Sequence, residues 1–93
     1  QVVKVVDDFM DNSKFAEINV YKHWCGHSIG VGVHEYPMLD SETSTLLTPG
    51  MVFSIEPYIF QDNVGSLGIE ENVLITETGA EILTPSDSRL RRL

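Results

Sequence analysis

"MVFSIEPYIFQDNVGSLGIEENVLITETG", residues 51–79, reads as two apolar strand runs separated by a polar turn. "MVFSIEPYIF" is rich in β-branched and aromatic residues, so it enters the core as a strand and leaves at Pro57, which has no N–H for a strand ladder. "QDNVGS" gathers Gln, Asp, Asn, Gly and Ser and reads as a turn-rich loop. "LGIEENVLITETG" is a second strand ending in a Thr78-Gly79 turn, and "AEILT" beyond it a short final strand. Sheet is therefore the organising element of the chain.

The segment before these runs, "DSETSTLLTPG", is a polar connection with Pro49-Gly50 placed for a type II turn. "SIGVGV", residues 28–33, is β-branched and glycine-rich, and Pro37 bars helix just before it. From Glu17 to Tyr21 the letters alternate, with Ile18 and Val20 on one side, which predicts a short strand. Val2, Val5, Val6, Phe9 and Met10 follow helical spacing, with Asp7, Asp8 and Asp11 on the other face. That helix stops near Asn12-Ser13, both poor helix-interior residues. "SRLRRL" at the end is a solvated basic tail. The expected fold is α+β, mostly antiparallel sheet with a flanking helix.

Composition narrows the function. The chain has 93 residues, 42% hydrophobic and 22% charged, which is the balance of a globular protein. It opens at Gln1 directly on a helix, so the expected organisation is a single partial domain over residues 1–93. One cysteine rules out an internal disulfide framework and suits a reducing, cytoplasmic setting. The net charge of −8 repels nucleic-acid phosphates. No apolar run approaches membrane-spanning length, and the first residues lack the pattern of a signal peptide.

All three histidines fall within "HWCGHSIGVGVHEYP", residues 23–37, and three chemistries compete for it. Gly26-His27-Ser28-Ile29-Gly30 matches the G-x-S-x-G nucleophile elbow, but that elbow needs a helix after the serine and a later histidine. Val31, Gly32 and Val33 resist helix, and no histidine follows His34. The glycines do not have G-x-G-x-x-G spacing and no basic residue lies among them, so a phosphate cradle is a weak reading. A metal site fits better. Histidine nitrogen and carboxylate oxygen at about 2.0–2.2 Å suit Zn, Mn, Co or Fe. Glu56 and Glu70 stand inside apolar runs, where a carboxylate is costly to bury without a cation or a proton. In period-two counting each faces away from its neighbour, Ile55 or Ile69, so both can point into one cleft with His27. The plain alternative is that each lies on the solvated face of an amphipathic strand.

"GHSIGVGVHEYP", "LTPGMVFSIEP" and "GIEENVLITETGAEILT", covering roughly residues 21–85, resemble three successive motifs of the pita-bread metallopeptidases. That superfamily includes methionine aminopeptidase, aminopeptidase P, prolidase and creatinase. His23, four residues before His27, is similar to the H-x-x-G-H pattern of its proline-specific branch. The resemblance implies the C-terminal portion of a pita-bread fold and a pair of divalent ions. It implies that His27 and Glu56 ligate one ion, that Glu70 bridges both, and that a shared water attacks a peptide carbonyl. His34 then contacts the substrate, and His23 lines the pocket and assists proton transfer. Trp24, Tyr36 and Tyr58 read as residues that pack or line a pocket wall, core packing being the favoured reading. Relatives often dimerise, so a homodimer is the assembly implied.

The departures from the family pattern are specific. Two ligating aspartates of an upstream hairpin have no counterpart, because Asp7, Asp8 and Asp11 fall on the polar helix face. Gly68 stands where the common R-I-E-D pattern has arginine, Glu71 replaces its aspartate, and Ser28 replaces a glycine after His27. Without that arginine a strict dipeptidase is less favoured than an enzyme for longer peptides or for a small non-peptide substrate of the creatinase type. A non-catalytic binding module is the remaining alternative, and the retained His27, His34, Glu56 and Glu70 speak against it.

Overall fold

The computed structural model describes residues 1–89 except Phe15, Glu17 and Tyr21, and of Asn19 and Val20 the backbone alone. Helix α1 (Val2–Asp11) is followed by β1 (Asn19–Val20), β2 (Trp24–Ser28), β3 (Glu35–Asp40), β4 (Val52–Ile55), β5 (Tyr58–Gln61), β6 (Gly65–Gly68), β7 (Glu71–Thr76) and β8 (Gly79–Ile82). Every described strand pairing is antiparallel. One sheet has the order β3-β2-β4-β7-β8 and the other β1-β5-β6. The two ends of the strand expected over Glu17 to Tyr21, and residues 90–93 of the basic tail, lie outside the described residues.

The two long runs over residues 51–79 are not single strands. Each is cut in the middle, at Glu56-Pro57 and at Ile69-Glu70, and changes sheet at the cut. The register explains how. Ile55 pairs with Glu71 and Tyr58 pairs with Gly68, so the two cuts face one another across the ribbon. Pro57 lacks the N–H that would continue the ladder, and two sheets diverge from that point. Sequence periodicity carries through such a break unnoticed, because the residues on either side still alternate. The turn between the runs has the expected chemistry: Asn63 and Gly65 both adopt positive φ, and Val64 N–H donates to the Gln61 carbonyl. The type II turn also forms, with Gly50 at φ 93° and Met51 N–H donating to the Thr48 carbonyl. The hairpin after β7 turns at Glu77-Thr78, since Thr76 pairs directly with Gly79.

Residues 29–34 form a loop between β2 and β3, consistent with their resistance to helix. Helix α1 buries a narrower stripe than its spacing suggests. Val3 is buried with Cys25, Leu39 and Phe53, while Val2 and Val6 pack against that cluster. Val5 and Phe9 point away from it and are about 70% exposed. The helix docks by its 2–3–6 edge, and Asp7 accepts from the His23 N–H and lies 3.0 Å from its ring nitrogen, just before β2. The other acids of the helix are also engaged, Asp8 by Lys4 and Asp11 by Lys22.

Cys25 is fully buried, and loss of water around its sulfur pushes the thiol up to about 11, with the Asp7 charge adding to the shift. It is therefore a neutral packing group near pH 7. Native protein is expected to leave Cys25 unmodified by a chromogenic thiol reagent at pH 7.5, with full reaction only after denaturant is added. Because its acidity is weakened by folding, the stability it contributes declines as pH rises above the ordinary thiol range.

Candidate metal centre

β2 and β4 place the first two site residues. His27 pairs with Ser54 across the ladder, and Glu56 N–H donates to the Cys25 carbonyl at 2.9 Å, extending the pairing one residue past β4. The alternation along β4 then puts Ser54 and Glu56 on the same face as His27. Both ends of the resulting contact are buried: His27 is 2% and Glu56 9% exposed. His27 Nε2 lies 3.0 Å from Glu56 Oε1.

The other nitrogen decides what that contact means. His27 Nδ1 is 3.0 Å from the Ser28 carbonyl oxygen, which only accepts, so Nδ1 carries the hydrogen. In a neutral ring the Nε2 lone pair then faces a carboxylate oxygen, also an acceptor. Two acceptors held 3.0 Å apart in a buried place require a proton or a cation to join them. Donors that sit about 2.0–2.2 Å from one ion are roughly 3 Å apart at neighbouring coordination positions. A backbone carbonyl taking the second N–H is also the common way of orienting a metal-binding histidine. The donor set therefore fits a cation.

His34 arrives from the 29–34 loop. Its ring centroid is 4.2 Å from that of His27, and His27, His34 and Glu56 each offer a ligand atom within 4.8 Å of the others. The loop is held by Glu35, whose Oε1 accepts from Gly32 N–H at 2.6 Å, and by Gly30 N–H donating to the Gly32 carbonyl. Trp24 stacks near His27, with centroids 6.4 Å apart and planes inclined by 24°.

Glu70 does not share the seclusion of Glu56. It sits at the cut between β6 and β7 and is exposed, which corrects the expectation of a carboxylate buried inside a strand. Its Oε1 nevertheless accepts from Ser54 Oγ at 2.7 Å, so the fully buried serine links it to the face bearing His27 and Glu56. Glu71 is turned elsewhere, accepting from Thr84 Oγ1 and Ser86 Oγ, and those hydrogen bonds hold its carboxyl below the usual range. His23 is brought to α1 instead of to His27. It has positive φ, and its Nδ1 lies 3.0 Å from Asp7 Oδ2.

Sequence reasoning overlooked two residues here. Ser54 and Asn72 pair across β4 and β7 in the same row as His27, and Asn72 Oδ1 is buried without a partner among the described residues. The signal was available as small polar letters inside the apolar runs "VFSI" and "NVLI". Tyr58, read as a packing or pocket-wall residue, is 43% exposed. The charges on the neighbouring Glu56 and Glu70 hold its phenol above the usual range. Tyr36 is likewise exposed and not packed.

Relatives share this arrangement of strands. The chain is 39% identical over 84 residues to an uncharacterized peptidase of Staphylococcus haemolyticus, covering 90% of this chain and 23% of that protein. It is 43% identical over 68 residues to the Xaa-Pro dipeptidase of Pyrococcus furiosus, covering 73% of this chain and 20% of that one. The X-Pro aminopeptidase from Thermotoga maritima superposes with a TM-score of 0.84 at 32% identity, over 95% of this chain and 24% of that one. The pita-bread fold class is thereby shown, and the chain spans less than a quarter of the length of these relatives. A sequence model of metallopeptidase family M24 matches residues 1–77, and the chain belongs to that family.

Proposed function

We propose that this chain is the C-terminal part of the catalytic domain of a metal-dependent hydrolase, and that the complete protein cleaves peptides beside proline. The observation that carries the reading is the buried His27–Glu56 contact, with Nδ1 committed to Ser28 and two acceptors left facing each other. His27 and Glu56 would hold one divalent ion, and Glu70, linked through Ser54, would reach a second. Bound there, a pair of Mn, Co, Zn or Fe ions lowers the pKa of a water and polarises a carbonyl.

The chain's own residues do the rest. Burial in the β2–β4 ladder keeps His27 from water. His34, exposed and carried on a loop braced by Glu35, contacts the substrate and the tetrahedral intermediate. His23, oriented by Asp7, moves a proton at the edge of the pocket. The missing carboxylate ligands come from a segment outside these residues. In this reading the protein works in the cytoplasm as a homodimer, with neither nucleic acid nor membrane as partner; among the described residues no helix is long and apolar enough to cross a membrane.

Elemental analysis of the full-length protein, with hydrolysis of Xaa-Pro peptides before and after chelation, tests this. The expected result is two equivalents of a divalent transition ion, loss of turnover with chelator and recovery on adding metal back. Turnover that survives complete metal removal would overturn it. A small non-peptide substrate is the second reading, favoured by the absence of arginine at position 68, and cleavage of such a compound in place of Xaa-Pro peptides would select it.

A further inference from the structure

Tyr58 and Gly68 are cross-strand partners at the first rung of β5 and β6, next to the cut that holds Glu56 and Glu70. A Cβ added to Gly68 would lie 2.8 Å from Tyr58 Cε1 and 3.0 Å from Cδ1. The phenol ring thus occupies the space over Gly68, and a side chain at 68 would have to displace the ring from that position. The ring keeps an open side, being 43% exposed, and it lies near the charges of Glu56 and Glu70. Between Lys22 and Arg89 the sequence contains no lysine or arginine at all. The rim of the site is therefore an aromatic plate flanked by Glu56 and Glu70, with no cationic side chain from this stretch.

A free carboxylate placed against that plate finds acids and no bidentate donor. Cations at Glu56 and Glu70 offset their charge without supplying hydrogen-bond donors at Tyr58. A neutral amide or a saturated ring, by contrast, packs on the open aromatic face without leaving a charge unpaired. We propose that Tyr58, seated on Gly68, is the specificity-determining residue that selects substrates continued or capped beyond the residue after the scissile bond, over dipeptides ending in a free carboxylate. This rests on the peptidase reading of the same site.

The test uses the full-length, metal-loaded protein with matched Xaa-Pro and Xaa-Pro-amide substrates. Wild type is expected to favour the amide by about tenfold or more in kcat/KM, chiefly through KM. Tyr58→Phe, which keeps the ring, should hold that ratio within about twofold. The double variant Tyr58→Gly with Gly68→Arg should reverse it. A wild-type preference for the free dipeptide, or a double variant with the unchanged ratio, overturns the inference. Calorimetric binding of prolinamide and proline separates it from the peptidase reading. If neither peptide is cleaved, tighter binding of prolinamide still supports the role of Tyr58, whereas tighter binding of proline, or binding of neither, overturns it.

Discussion

His27→Ala in the full-length protein is expected to lower kcat/KM by about a thousandfold or more, roughly 4 kcal/mol of transition-state stabilisation. The same variant should lose at least one equivalent of bound metal. Its fold should survive, because the core cluster of Val3, Cys25, Leu39 and Phe53 does not depend on the imidazole. Kinetics, elemental analysis and far-UV circular dichroism on one preparation check all three. His34→Ala separates two roles for the second histidine. In the structure His34 lies close enough to be a ligand, whereas the family resemblance makes it a substrate contact. Retained metal with impaired turnover supports substrate contact, and metal loss makes it a ligand. Full activity in His27→Ala would remove the basis for placing a cation at this site.

The sequence reported the strands, the acids and the break at Pro57, but not the break at Ile69-Glu70. Alternation over residues 51–79 is a statement about which side each residue faces, and it is the same whether a ribbon stays in one sheet or passes into two. Pro57 was the local sign of a break in the first run; nothing equivalent marks Ile69-Glu70 in the second. The opposite register of Ile55 with Glu71 and Tyr58 with Gly68 is a tertiary fact. That is why Glu56 and Glu70, judged alike from their apolar neighbours, differ in burial. The helix shows the same limit. Its spacing was right, yet the edge that faces the sheet carries Val2, Val3 and Val6, while Val5 and Phe9 are left exposed. By contrast the turns were legible, since Gly50 and Asn63 need only local backbone chemistry. For the site, types and spacing singled out His27 and Glu56 and the family resemblance added His34; the fold brings the three together. Ser54 and Asn72 were missed because a single small polar residue in a strand is ordinary until its cross-strand partners are known.

Gly26→Ala is expected to be the most damaging change of a single methyl group. The added Cβ would lie 2.0 Å from the Ser54 carbonyl oxygen, 3.1 Å from its carbon and 3.2 Å from Ile55 Cα. All three are backbone atoms, so no rotamer change relieves the clash, and β2 and β4 must part by about an ångström. Parting them weakens the Glu56 N–H to Cys25 carbonyl bond that sets the height of Glu56 beside His27. Overpacking of this kind costs on the order of 1–3 kcal/mol or more, a large share of the stability of a small fold. Metal affinity and stability should therefore fall together in Gly26→Ala, whereas His27→Ala loses metal with stability largely kept. Gly79→Ala is the matched control: nothing lies within 4 Å of its Cβ, and its stability should stay within about 0.5 kcal/mol of wild type. Denaturant unfolding with metal titration on the three variants distinguishes these outcomes. If Gly26→Ala proved as stable and as tightly metal-binding as Gly79→Ala, the close approach of β2 to β4 would not be what sets the His27–Glu56 distance.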